Sequence, residues 1–255
     1  MHIRVFDRPR DLARALARRV ADAVRERPDV VLGLAAGRTP VGAYAELVAL
    51  AARDLVDFSR CASFNLDEFV GVAPGHPGSF RRFMDTHLFD RVNLDPARVH
   101  FLDGTAADPD AECRRYEEAI ERAGGIDLQL LGIGANGHVA FNEPGDALVA
   151  RTHRAVLAES TRADNAELFG GDPHAVPREA LTLGIGTILE ARTILLAGMG
   201  AAKAAAVAAM VSGAITPRLP ASFLQLHGRV EVYLDRAAAS RLDLDTAAIA
   251  PPADR

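Results

Sequence analysis

Three times along the chain an apolar run stops at glycine and gives way to polar or helically spaced residues: DVVLGLAAGRTPVGAY, IDLQLLGIGANGHVAFNEPG and TILLAGMGAAKAAAV. A short continuous apolar run bounded by turn residues reads as a strand buried on both faces. Between such runs the period changes to that of a helix, with Leu12, Leu16, Val20 and Val24 at every fourth position and arginines and aspartates opposite. Strands alternating with helices predict a parallel sheet covered on both sides, with right-handed crossovers. The expectation is one α/β domain over 1–255: a single doubly wound, mostly parallel, Rossmann-like sheet flanked by helices. No linker or internal repeat divides it.

In chain order, the run Val30–Leu34 predicts a strand that breaks at Gly37, followed by a helix with Thr39 as N-cap and Pro40 as first helical residue. A second strand, Cys61–Leu66, ends in a polar loop, and helices are expected over Ser79–Asp90 and Asp108–Ala123 around a short strand, Val99–Leu102. The segment from Arg151 to Gly171 reads as a long loop or lid with one short helix. Strands Leu181–Ile185 and Thr193–Ala197, joined by the turn GIGTILEA, precede a last strand, Arg229–Leu234, and a frayed tail over 247–255.

Chemistry concentrates just beyond the strand ends, where open α/β sheets bind ligands. The turn Gly37, Arg38, Thr39 leads into a helix and offers backbone N–H groups at its positive end, an arrangement suited to phosphate, although many such turns bind nothing. Lys203, in the first turn after GMGAA, opposes the helix dipole unless an anion sits there. Asp67 and Glu68 follow the second strand. They read either as a buried base beside an orienting neighbour or as a helix cap or solvated turn. Asn136, His138, Asn142 and Glu143 crowd eight residues after the third.

Bulk properties exclude several classes. With 29 basic and 34 acidic residues the chain has no basic footprint for nucleic acid, so an anion must be held by a local site. The most apolar long window, Thr193–Val211, contains Lys203 and glycine breaks and is not a membrane span. Cys61 and Cys113 sit in neither a metal nor a redox spacing, and no metal or cofactor is expected. With no signal-peptide core at the start, the reading is cytoplasmic.

Taken together, LGLAAGRTPVGAY, SFNLDEFVGVAPGHPGSFRRFM, IDLQLLGIGANGHVAFNEPG, ALTLGIGTIL, the turn ending at Lys203 and LQLH at Leu224–His227 resemble the glucosamine-6-phosphate deaminase family, the isomerase-deaminases of amino-sugar catabolism. The likeness runs from about Val31 to Leu234. FNLDEFVG and NGHVAFNEPG are specific to that family; the glycine turns belong to its wider superfamily. The resemblance implies that Asp67 is the base moving a proton from C2 to C1 of the open-chain sugar. By the same likeness His138 opens the ring, Glu143 and Asn136 hold and tune that histidine, and Gly37, Arg38, Thr39 and Lys203 bind the sugar phosphate. The partner it implies is a small amino-sugar phosphate. Monomer, trimer and hexamer are all compatible with it, so a homo-oligomer is conceivable.

Two positions depart from the family pattern. Where relatives place a phosphate-binding arginine after TRADN, this chain has Glu167, and where they place a small residue it has Arg38. Either Arg38 replaces the missing arginine from the opposite wall, or Arg38 pairs with Glu167 and the pocket prefers another ligand. The positions matching an allosteric basic pair are His153 and Ala155, so activation by an acetylated amino-sugar phosphate is not expected. Competing readings are a lyase that expels the 3-hydroxyl of an N-acetylated substrate, a 6-phosphogluconolactonase, and a silent sugar-phosphate sensor.

Overall fold

The apolar runs pair side by side in the computed structural model, which describes residues 1–243 and 248–249. Its strands in chain order are β1 (His2–Phe6), β2 (Val31–Leu34), β3 (Ala62–Asn65), β4 (Asp67–Phe69), β5 (Val99–His100), β6 (Leu128–Gly132), β7 (His153–Val156), β8 (Glu179–Thr182), β9 (Thr193–Gly198), β10 (Val230–Asp235) and β11 (Ala248–Ile249). The helices are α1 (Pro9–Glu26), α2 (Val41–Ala51), α3 (Phe80–His87), α4 (Pro109–Arg122), α5 (Glu159–Asp164), α6 (Ile185–Leu189) and α7 (Ala204–Ser212).

Eight strands form one parallel sheet in the order β11-β1-β10-β9-β6-β2-β3-β5. From β2 the chain steps outward to β3 and β5, then returns to lay β6 on the other side of β2 and steps the opposite way to β9 and β10. The order therefore reverses between β2 and β6, which opens a crevice at their carboxyl ends.

Side chains alternate between two cores. Leu32, Leu34, Leu128, Leu130 and Leu195 face α1, α2 and α3, where they meet Leu16, Tyr44, Leu47 and Met84. Val31, Phe64, Leu131, Ile194 and Leu196 face α4, α6 and α7, against Tyr116, Ile188 and Val207. Each fully buried leucine contributes about 2 kcal/mol of burial energy, and both faces are apolar, so the runs are continuous in sequence.

The mostly parallel α/β sheet flanked by helices agrees with the expectation, but the sheet is not alone. A second sheet of three short antiparallel strands, β4-β8-β7, lies beside it. Several boundaries change accordingly. The polar stretch after Leu66 begins with β4, and the expected loop over Arg151–Gly171 contains β7, α5 and a 3₁₀ turn, Ala166–Phe169. The expected strand Leu181–Ile185 is β8, shifted earlier, and most of GIGTILEA is helix α6 instead of a turn. β1, at the N-terminus, carries no long apolar run and escaped the pattern. Thr39 forms no cap: α2 starts one residue later, with Pro40 at its N-cap. The frayed-tail expectation for 247–255 lies outside the described residues except at Ala248–Ile249, which pairs with β1.

The small sheet is tied to the large one by a carboxylate. Glu117 on α4 accepts hydrogen bonds from Thr152 N and Oγ1, both at 2.6 Å, and from Thr187 Oγ1 at 2.6 Å. It thus holds the start of β7 and helix α6 to the main body. Replacing Glu117 with alanine strands these donors, and the expected cost is about 2 kcal/mol. Urea denaturation should show a lower midpoint at unchanged slope, and an unchanged midpoint would contradict the clamp.

Candidate active site

A cavity of about 360 Å³ opens at the reversal point, walled by residues that follow β2, β3, β6 and β9. All eight principal residues except Asn136 and Glu143 line it directly: Asp67, His138, Gly37, Arg38, Thr39 and Lys203. The other two stand behind His138.

The β2 turn is built to leave donors free. Gly37 takes a positive φ of 107°, and among the described residues no hydrogen bond occupies the N–H of Gly37, Arg38 or Thr39. Tyr44 Oη, fully buried on α2, donates to Ala35 O at 2.6 Å and fixes the turn to its helix. The β9 turn differs. Its Gly200 N–H is taken by the buried carboxylate of Asp235 at 3.0 Å, so what this turn presents is the Lys203 ammonium. Burial lowers Lys203 below its usual value, Asp164 opposes that, and Arg38 adds to it.

The two adjacent carboxylates after β3 divide the roles left open by sequence. Glu68 is saturated: it accepts from Phe69 N at 2.9 Å, Phe80 N at 3.1 Å, Ser79 Oγ at 2.7 Å and Arg81 N at 3.0 Å. It caps α3, and burial still raises it above the usual range. The carboxylate of Asp67, a residue 6% exposed, makes no hydrogen bond or ion pair within the protein among the described residues and faces the cavity. Burial, helped by the neighbouring charge of Glu68, pushes its carboxyl up to about 8. Such a group is a base suited to near-neutral proton transfer.

His138 sits against the β6 turn, where a Cβ on Gly134 would come within 2.5 Å of its ring. Its Nδ1 lies 3.6 Å from Glu143 Oε2 and 3.4 Å from Thr161 Oγ1. Burial would raise the Glu143 carboxyl, but hydrogen bonds from His138, Thr161 and Asn136 outweigh it and hold it at about 2. Asn136 Nδ2 donates to Glu143 Oε2 at 2.8 Å, while its Oδ1 accepts from the His138 backbone N. The amide thus reaches the backbone of the histidine and the carboxylate behind it. A carboxylate on the Nδ1 side favours the tautomer that carries the proton there, with Nε2 as the other ring nitrogen.

Thr161, Tyr44 and Asp235 were not singled out from sequence. TRADN was visible as a string, but nothing in it marked the threonine as the buried partner of a histidine. Arg38 and Glu167 both line the cavity, and no ion pair joins them. Asn142 is buried in the loop, its Nδ2 donating to Val139 O and Leu183 O. Among the described residues no cluster of side chains could hold a metal ion, and no helix is long and apolar enough to cross a membrane.

Comparison with known proteins shows what the whole chain resembles. Residues 7–233 match the family described as glucosamine-6-phosphate isomerases/6-phosphogluconolactonase. Glucosamine-6-phosphate deaminase of Arthrobacter sp. strain FB24 is 50% identical over 88% of this chain and 87% of its own. Glucosamine-6-phosphate deaminase 2 of Giardia intestinalis is 47% identical over 91% of this chain and 88% of its own. Among solved structures, a monomeric glucosamine-6-phosphate deaminase superposes with a TM-score of 0.92 at 42% identity, covering 94% of this chain and all of that one.

The Glu143 environment generates an acid-stability prediction. Folding lowers its pKa from 4.5 to about 2, so its contribution is fully present above about 4.5 and is lost as pH falls toward 2. In Glu143→Gln this part of the acid sensitivity should vanish: the urea midpoint should fall less between about pH 5 and about pH 3 than in the parent. An equal fall in both proteins would contradict the assignment.

Proposed function

The chain belongs to the glucosamine-6-phosphate isomerase/6-phosphogluconolactonase family, and we propose that it converts glucosamine 6-phosphate and water to fructose 6-phosphate and ammonia. The observation that carries this reading is the unpartnered Asp67 carboxylate, facing a cavity that it shares with His138 and Lys203.

Each step has a group in place. Gly37, Arg38, Thr39 and Lys203 receive the phosphate through free N–H groups and two cations. His138, backed by Glu143, takes the proton of the anomeric hydroxyl and returns one to the ring oxygen, which gives the open-chain aldehyde. Asp67 removes the proton from C2, activated by the aldehyde beside it, while the aldehyde oxygen takes a proton from the substrate's own ammonium group. The same carboxyl then returns the proton to C1 of the resulting enolamine, leaving an imine at C2. Water adds to that imine, and the C–N bond breaks with the nitrogen leaving as ammonia. No redox change occurs, so the residues suffice for the sequence of proton transfers. Cys61 and Cys113 are both free and buried, which supports placing the protein in the reducing cytoplasm.

Glu167 on the cavity wall favours testing one other outcome, loss of the 3-hydroxyl as water from N-acetylglucosamine 6-phosphate. Both compounds should be incubated with the protein and assayed for ammonia, fructose 6-phosphate and an unsaturated sugar. The expected result is ammonia and fructose 6-phosphate from the free amine alone; an unsaturated product from the acetylated sugar would replace the deaminase reading. Adding N-acetylglucosamine 6-phosphate to the deaminase assay should not accelerate it, because the place of a basic pair on β7 is filled by half-buried His153 and buried Ala155.

Asp67→Asn should lower kcat by about 10²-fold or more. The same variant should be more thermally stable than the parent at neutral pH. A carboxyl whose folded pKa is raised from 3.8 to about 8 binds more protons folded than unfolded, so it withdraws stability as pH rises between those values. In the parent enzyme kcat/KM should climb with pH through about 8 as the base ionises. A flat profile there would contradict Asp67 as the base.

A further inference from the structure

The phosphate end of the cavity carries charge of both signs. Arg38 and Lys203 stand on the side formed by the strand turns, and Asp164 and Glu167 on the side formed by α5 and the 3₁₀ turn after it. Asp164 Oδ2 lies 4.0 Å from Lys203 Nζ, whereas Arg38 has no ion-pair partner among the described residues. Lys203 is the more enclosed of the pair, with 21% of its side chain exposed against 49% for Asp164.

We propose that Asp164 is an affinity-setting residue: it serves as the internal counter-ion of Lys203 in the empty site, and an incoming phosphate must take the lysine from it. The proposal rests on the reading of Lys203 as a phosphate ligand given above. A half-buried ammonium loses solvation and gains from any nearby carboxylate. Once a phosphate occupies the lysine, the same carboxylate becomes a like charge beside a dianion, in a cavity where Glu167 already contributes another. Asp164 therefore stabilises the empty state and opposes the occupied one, which weakens binding and speeds release of every phosphorylated ligand alike. A partly exposed pair at this distance is weak, so the effect is a few-fold change and not an all-or-none gate.

The direct probe is inorganic phosphate, titrated calorimetrically into the full chain and into Asp164→Asn. The expected result is a Kd lower by about twofold to fivefold in the variant, with the KM for glucosamine 6-phosphate falling by a similar factor. Glu159→Gln removes the same charge from the first turn of α5, outside the cavity, and should leave the phosphate Kd in place. Binding of glucosamine lacking its phosphate should not tighten in Asp164→Asn, a difference that general loosening of α5 would not produce. An unchanged or raised phosphate Kd in Asp164→Asn, or an equal gain in Glu159→Gln, overturns the proposal. Failure of the underlying reading is distinct: a phosphate Kd left in place by Lys203→Ala would refute Lys203 as the phosphate ligand, whereas a Kd weakened by Lys203→Ala and unmoved by Asp164→Asn would refute the counter-ion role alone.

Discussion

Reversal of strand order between β2 and β6 is the constraint on which the molecule depends. A parallel sheet sends all its strand ends to one edge, and only where successive crossovers diverge do the following segments part and leave room for a ligand. Here the segments after β2, β3, β6 and β9 all reach that place. A phosphate-type turn, a carboxylate pair, a histidine loop and a lysine turn are thereby assembled from residues as far apart in sequence as Gly37 and Lys203. Neither helix packing nor loop sequence alone would bring them together.

Around that crevice the chain separates groups that hold from groups that react. Glu68 spends all four of its acceptor positions on α3 and β4, and Asp235 closes the turn that carries Lys203. Among the described residues the Asp67 carboxylate has no such partner, and Lys203 has only the distant Asp164. Buried polar groups normally find partners. An unpartnered one facing a cavity marks a place where the missing partner is the ligand, and the local loss of stability is the counterpart of readiness to react.

The sequence carried the large sheet because both of its faces are apolar, and runs such as Val30–Leu34 and Thr193–Ala197 need no partner to be recognised. It carried the glycine turns and the dense polar strings for the same reason: their signal is local. The second sheet was hidden, since β4 and β8 are three and four residues long and pair Asp67 with Thr182 across more than a hundred positions. His153–Val156 looked like lid because it is only four residues long, buries Ala155 alone and finds its register only against β8. Within the site, Asp67, His138 and Lys203 stood out as candidates, but residue spacing alone did not divide Asp67 from Glu68, and only the family likeness favoured Asp67. That division depends on where Ser79 and the first N–H groups of α3 fall in space. The contacts of Thr161 with His138 and of Asp235 with Gly200 have no periodicity to betray them.

The enclosure of Asp67 reaches beyond the chemical step. A carboxyl that ionises only near 8 rests mostly in its protonated form at neutral pH, yet the proposed reaction begins with it ionised. Under that mechanism, formation of the reactive complex at neutral pH expels a proton to the medium. Ligand capture is then an exchange, sugar in and hydrogen ion out, and its heat depends on which buffer receives that ion.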